Sequence, residues 1–316
     1  MGFLTFGFLG LLTAAFVTET PMFVFFTAAY PFLYLGNLFV RHKRLASAQP
    51  WPVNEKIVLI TGASSGIGQS LAHVFAKRGA TLILCARRED MLSSVANECR
   101  ELNSSVKVLT VKCDVTDESD VARLVETIET TYGRLDCLAL NAGVSMGEDF
   151  AELKDYSVIK KVMDVNYYGC TNVTYKALPL LKKNKKSRIL VTNSISGILA
   201  LPSRSGYAAA KFAVRGFFDS LQAELWKDEI FITLAYPGPV KTEINKNRLG
   251  DDPKQLDFTN AITSEECAQE LVEGVLRGDK EVIFTRNGKL GRLMEGVFPD
   301  LTAYLVDRNA RKHLNK

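Results

Sequence analysis

Beyond about residue 45 the sequence predicts an α/β fold, a doubly wound parallel sheet of about seven strands with helices on both faces. Three observations carry it. Short β-branched runs alternate with longer stretches whose apolar residues recur at helical spacing, the pattern of right-handed strand, helix, strand units. A glycine-rich segment follows the first of these runs and opens directly into a helical stretch. The 316 residues are 47% hydrophobic and 23% charged, a globular balance that excludes disordered, collagenous and coiled-coil chains.

Taken in chain order, the first 40 residues are a different material, because Glu19 is their single charged side chain. Residues 2–18 and 22–40 are apolar stretches separated by Glu19, Thr20 and Pro21. Nineteen helical residues rise about 28 Å, close to the hydrocarbon thickness of a bilayer. Residues 1–45 are therefore expected to be a membrane anchor, in contact with lipid through residues 2–40, as one span or as a hairpin. Pro31 predicts a kink or break in the second stretch. No basic residue precedes the apolar run, whereas Arg41-His42-Lys43-Arg44 follows it. That order speaks against a cleaved signal peptide and puts the following domain in the cytosol.

Strands are expected at 56–61, 81–86, 106–112, 136–140, 188–193, 230–235 and 281–284, and helices at 67–78, 89–102, 118–132, 157–181, 207–226 and 264–276. No repeat or low-complexity linker interrupts them, so residues 46–285 read as one domain. Residues 286–316 read as an amphipathic tail that lies on a membrane surface, covers a cleft or packs on the domain. The 39 basic and 35 acidic residues leave a net charge of +4, too little for a nucleic-acid surface. Cys85, Cys99, Cys113, Cys137, Cys170 and Cys267 form no Cys-x-x-Cys pair and read as buried, reduced thiols. His42, His73 and His313 lack metal-ligand spacing, so no metal site is expected.

In a sheet of this type ligands bind outside the carboxyl ends of the strands, so the residues just after each strand carry the functional information. The first such turn is Thr61-Gly62-Ala63-Ser64-Ser65-Gly66-Ile67-Gly68. Glycines there permit a tight turn and close approach of backbone to a pyrophosphate, which the helix N-terminal amides attract. Gly62, Ser64, Ser65, Gly66, Ile67 and Gly68 are thus candidate dinucleotide ligands. At the end of the second strand, where a carboxylate would bind a ribose 2′-hydroxyl, stand Arg87 and Arg88. Arginines suit a 2′-phosphate, which favours NADP(H) over NAD(H).

Tyr-x-x-x-Lys occurs twice, as Tyr156 with Lys160 and as Tyr207 with Lys211. Thirteen residues before Tyr207 stands Ser194, at the end of a strand, whereas the same offset before Tyr156 gives Gly143. The first pair therefore reads as a surface helix turn. Hydride transfer to a carbonyl carbon leaves charge on oxygen and needs a proton donor within hydrogen-bond reach. A phenol is a poor base at neutral pH, and an ammonium four residues on, along the same helical face, favours its ionised form. Tyr207 is accordingly the expected general acid/base and Lys211 its partner.

The glycine turn, Asp114-Val115, Asn141-Ala142-Gly143, Asn166, Ser194, Tyr207 with Lys211, and Pro237-Gly238 with Thr242 stand in an order and at separations that resemble the classical short-chain dehydrogenase/reductase family over residues 54–285. The apolar N-terminus and Ile198, Leu199 and Leu201 after Ser194 are similar to its membrane-anchored branch, the 11β-hydroxysteroid dehydrogenase-like and dehydrogenase/reductase proteins. The resemblance implies a Rossmann-type fold. It implies that Lys211 also holds the nicotinamide ribose, that Ser194 orients a substrate carbonyl and that Asn166 positions water for a proton relay. It places Asp114 and Val115 near adenine, Asn141, Ala142 and Gly143 along the cofactor, and Pro237, Gly238, Val240 and Thr242 around the nicotinamide. Leu140 departs from the family, many of whose members have asparagine there, and this puts the local sheet hydrogen bonding in doubt. Ser65 departs from those NADP-preferring members that carry a basic residue at its position. The branch implies a lipophilic substrate (a steroid, retinoid, sphingoid base or fatty carbonyl), an endoplasmic reticulum or lipid-droplet membrane, and a homodimer paired through the helices that begin near Asn166 and Tyr207. Residues 241–260 read as a mobile lid over the substrate. The rival reading is a non-catalytic NADP(H)-binding scaffold, for which the Ser, Tyr, Lys and Asn set would be superfluous.

Overall fold

In the computed structural model, which describes residues 21–48, 51–245, 248–250 and 261–314, seven strands form one parallel sheet. They are β1 (Ile57–Thr61), β2 (Thr81–Ala86), β3 (Val108–Lys112), β4 (Cys137–Leu140), β5 (Arg188–Thr192), β6 (Phe231–Tyr236) and β7 (Glu281–Ile283). Their spatial order is β3-β2-β1-β4-β5-β6-β7, and every neighbouring pair is parallel. The order reverses between β1 and β4, where Val58, Leu59 and Ile60 face Cys137, Leu138 and Ala139 in register. Crossovers leaving β1 and β4 in opposite directions open a crevice at their carboxyl ends, and this positions the candidate site.

The chain divides into two compact units, residues 1–49 and 50–316. In the second unit, all of β1 and β4 is buried, as expected of strands covered on both faces. Side chains alternate along each strand. Val58, Ile60, Leu82 and Leu84 meet one helical layer, formed by α2 (Gly66–Lys77), α3 (Glu89–Leu102) and α8 (Ser264–Arg277), through Leu71, Phe75, Leu92, Val95 and Leu271. On the other face Leu59, Ile83, Leu138 and Ile189 meet α4 (Glu118–Tyr132), α6 (Gly169–Lys182) and α7 (Ser205–Glu224) through Val121, Leu124, Val173, Leu180 and Phe218. All six cysteines are free and buried, and burial pushes the thiols of Cys99, Cys137 and Cys267 up to about 12, so they stay protonated.

Two expectations are revised. The stretch 157–181 is not one regular helix: α5 (Ser157–Met163) passes into a π-helical segment, Asp164–Tyr168, before α6 begins. Its hydrophobic spacing survives the widened turn, which is why the pattern read as continuous. The tail folds as α9 (Arg286–Val297) and α10 (Pro299–Leu314) within the second unit. In the first unit, α1 (Pro21–Ala48) runs through Pro31 without the expected break. Phe32, Leu33, Leu35, Phe39 and Val40 on it are exposed. Among the described residues no helix is long and apolar enough to cross a membrane. The predicted apolar stretch 2–18 lies outside the described residues.

Candidate active site

The crevice between β1 and β4 is the head of a cleft of about 1820 Å³ that continues past β5 to α9 and α10. At its head β1 ends in a turn that only glycine allows. Gly62 has φ +65°, and a Cβ there would lie 2.8 Å from the Ala142 Cα. A Cβ on Gly68 would collide with the Gly62 carbonyl oxygen, so this glycine lets α2 close onto the turn. Thr61 and Asn141 lock the two strand ends together. The Thr61 hydroxyl accepts from the Asn141 and Ala142 amides at 3.0 and 3.1 Å, and the Asn141 side chain donates to the carbonyls of Thr61 and Gly62 at 3.3 and 3.2 Å. Leu140 meanwhile is buried and pairs with Val191, so a leucine there leaves the sheet intact. Ser65, the N-cap of α2, makes no side-chain capping bond. Uncapped first-turn amides beside a turn without side chains fit the diphosphate of a dinucleotide.

From the end of β2, Arg88 reaches back over the turn and donates to the hydroxyls of Ser65 at 2.8 Å and Ser64 at 3.2 Å. Its guanidinium also stands 3.9 Å from a Glu243 carboxylate oxygen. Arg87 lies 3.7 Å from Asp114, whose side chain caps the turn after β3 by accepting from Thr116. Arg88 thus holds a guanidinium over Ser65.

Further along, the π-helical segment sets Asn166. The Gly169 amide bonds to the Asp164 carbonyl, five residues back. The widened turn brings the Asn166 amide onto two carbonyls, Val162 and Val144, each at 2.9 Å, and leaves its buried Oδ1 without a partner among the described residues. Helix α6 can follow so closely because Gly169 packs on Val115, where a Cβ would meet the valine methyl at 2.7 Å. Ser194 caps the short turn after β5, its hydroxyl accepting from the Ser196 amide at 3.1 Å. On α7, Tyr207 and Lys211 are 7% and 5% exposed, whereas Tyr156 of the other Tyr-x-x-x-Lys pair is 64% exposed. The Lys211 ammonium donates to the Thr192 carbonyl at 3.2 Å and stands 5.6 Å from the centre of the Tyr207 ring. Asn193 ties the end of β5 to α7 by donating to the Lys211 carbonyl at 3.1 Å.

Gly62, Ser64, Ser65, Gly66, Ile67, Arg87, Arg88, Asp114, Val115, Asn141, Ala142, Gly143, Asn166, Ser194, Tyr207, Lys211, Pro237, Gly238, Val240 and Thr242 all line this one cleft. Gly68 does not; it is buried behind the turn. The sequence reading missed Arg204 and Arg248, which line the cleft beyond Tyr207. Arg204 carried no signal, because it stands ahead of the helix, as the N-cap of α7. Arg248 carried none, because a non-local bridge from Met146 to Leu249 places it.

Residues 56–252 match the family model described as short chain dehydrogenase. The chain belongs to this family. Among its relatives, the 11-beta-hydroxysteroid dehydrogenase-like 2 protein of Arabidopsis thaliana is 36% identical over 289 residues, 90% of each chain. Among solved structures, an alcohol dehydrogenase from Thermococcus sibiricus complexed with 5-hydroxy-NADP superposes with a TM-score of 0.65 at 26% identity, over 73% of this chain and 96% of that one. A short chain dehydrogenase/reductase from Burkholderia phymatum in complex with NAD shares the fold, with a TM-score of 0.72 at 22% identity over 80% of this chain and 96% of that one. The protein is a short-chain dehydrogenase, an oxidoreductase of the branch named for 11β-hydroxysteroid dehydrogenase-like proteins.

Proposed function

We propose that the protein is an NADP(H)-dependent dehydrogenase/reductase that interconverts the carbonyl and alcohol of a lipophilic substrate. The observation that carries this reading is the convergence of Asn166, Ser194, Tyr207 and Lys211, from three different parts of the fold, on the cleft whose head is the glycine turn. When bound, the nicotinamide supplies or accepts hydride. Ser194 holds the substrate oxygen, and Tyr207 gives it a proton in reduction or takes one in oxidation. Lys211 is fixed by Thr192, offers its charge to Tyr207 and binds ribose hydroxyls. Asn166 holds the π-helical segment against Val144, at the position from which water replenishes the proton.

Arg87 and Arg88 favour NADP(H), because both stand just past β2 and line the cleft, where they would hold a 2′-phosphate. Leu199, Leu201, Leu290, Met294, Leu305 and Val306 give the far end of the cleft an apolar wall, which supports a lipophilic substrate. We further propose the three-part organisation of residues 1–45, 46–285 and 286–316. Residues 2–40 attach the chain to an endoplasmic reticulum or lipid-droplet membrane, the catalytic domain faces the cytosol, and the protein pairs as a homodimer through α6 and α7. A panel of lipid ketones and alcohols incubated with NADPH or NADP⁺ tests the activity. Turnover is expected to fall roughly 10²–10⁴-fold in Tyr207→Phe while cofactor affinity is kept. Turnover equal in the two proteins would leave the scaffold reading.

A further inference from the structure

The charges along the cleft are unevenly distributed. Among the described residues only two carboxylates line it, Asp114 and Glu243, and both face Arg87 and Arg88 at the cofactor end. Past Tyr207, Lys161, Arg204, Arg248 and Arg308 line it with no lining carboxylate among the described residues. Lys161 and Arg308 are exposed, whereas Arg204 and Arg248 are partly buried.

Arg204 is the unusual one. It is the N-cap of α7, three residues before Tyr207, and among the described residues no side-chain hydrogen bond or ion pair reaches it. The residue before it, Ser203, is held at φ +60°, a left-handed conformation costly for a residue with a Cβ. The Ser203 hydroxyl bonds to Asp149, and its carbonyl accepts from the Glu148 amide at 2.9 Å. Burial holds the Arg204 guanidinium below the ordinary arginine range, with the Tyr207 phenol acting against that shift and Arg248 adding to it. Arg248 lies across Gly147, where a Cβ would meet its Nε and Nη1 at 3.1 Å. Glu148 is buried against Gly250 and does not line the cleft.

A partly buried guanidinium without a carboxylate is costly to the fold unless an anion completes it. We propose that Arg204, flanked by Arg248, receives an anionic group carried by the substrate, so that the substrate is an amphiphile with a carboxylate or phosphate on the same end as its reacting carbonyl or alcohol. Arg204 directly precedes α7 and lines the same cleft as Tyr207 three residues on, which sets that end. The hydrocarbon then runs toward Leu290, Met294 and Leu305. This inference rests on the reading of Tyr207 as the group at the reacting carbon, and the test is one of binding, so that its outcome is independent of turnover.

Dodecanoate, methyl dodecanoate and dodecyl phosphate are titrated calorimetrically into the full chain in the presence of NADP⁺. Dodecanoate is expected to bind at least about tenfold more tightly than its methyl ester, the scale of one charge-assisted contact. The ratio should fall toward one in Arg204→Gln and be largely kept in Arg204→Lys, with folding of each variant checked by circular dichroism. Tighter binding of dodecyl phosphate than of dodecanoate assigns the headgroup as phosphate, and the reverse order as carboxylate. Equal binding of acid and ester by the unmodified protein, or an acid preference that persists in Arg204→Gln, overturns the proposal. The Tyr207→Phe turnover experiment bears on the activity alone.

Discussion

Replacing Arg88 by alanine tests the cofactor assignment through one side chain. The guanidinium that bonds to Ser65 at 2.8 Å and Ser64 at 3.2 Å would, with a phosphate present, turn at least one donor to it. A hydrogen bond to a charged group contributes about 1.5–3 kcal/mol. Arg88 is half exposed, its side chain 48% accessible, so solvent and salt screening put the effect at the lower end. About 1.5 kcal/mol corresponds to roughly a tenfold loss of NADPH affinity. NADH has no 2′-phosphate and should bind Arg88→Ala about as well as the parent. Glu243→Gln should act in the opposite direction, since its carboxylate 3.9 Å from Arg88 competes with the phosphate for the same cation. Calorimetric Kd values for NADPH and NADH on the three proteins, at low and at physiological salt, give the comparison without a substrate. Equal losses for the two dinucleotides in Arg88→Ala would refute the phosphate contact and return Arg88 to a plain tether over the turn.

Gly68→Ala should cost about 1–3 kcal/mol in denaturant unfolding and weaken both dinucleotides, because the new methyl meets backbone at Gly62 and α2 must shift away from the turn. Equal stability and affinity in the alanine variant would show that the turn yields easily. Asp117 caps α4 by accepting from the Ser119 hydroxyl and the Asp120 and Ser119 amides, which lower its pKa in the folded chain. A carboxyl depressed on folding stabilises above its unfolded pKa, about 4. That stability is lost as pH falls through the folded value. The Tm deficit of Asp117→Ala should therefore be full at pH 7 and shrink below about pH 4, and a deficit constant down to pH 2 would point to lost packing instead of a charged cap.

Much of this architecture is written locally. Each strand is a short apolar run, and the stops between them are residues whose chemistry is specific: Gly133 and Gly278 end α4 and α8 in left-handed conformation, and Thr263 with Glu266 forms a capping box at the start of α8. The glycine turn and the Tyr207 pair were legible for the same reason, since their spacing is fixed within one strand-to-helix turn or one helical face. The π-helical segment was not legible. One residue of extra turn leaves the apolar positions 162, 165, 170 and 173 facing inward much as a regular helix would. What decides it is the contact of Asn166 with Val144, twenty-two residues earlier in the chain. The placement of Arg248 was hidden likewise, in a bridge between Met146 and Leu249. The unit of residues 1–49 shows a different limit: apolarity of composition announced an anchor, yet Pro31 did not stop α1, because proline removes one backbone donor and the flanking turns still bond.

The two arginine sites of the cleft illustrate how the same side chain takes different work from its surroundings. Arg88 sits half in water with two serine hydroxyls and a nearby carboxylate, so its charge is already satisfied when no ligand is bound. Such a site would add selectivity of a modest size, because a phosphate there would meet a cation that is half exposed and already has a carboxylate nearby. Arg204 is partly buried and has no such partner among the described residues. An anion arriving there gains a contact that nothing else supplied, and its affinity for the native state should appear directly as stability, about 2.7 kcal/mol at a hundred times Kd. Because Arg204 lines the cleft three residues before Tyr207, the position of an anion bound there would also fix which carbon of a flexible chain meets the phenol. An apolar wall alone would let that chain slide by whole methylenes, and a partly buried cation at one end would set its register.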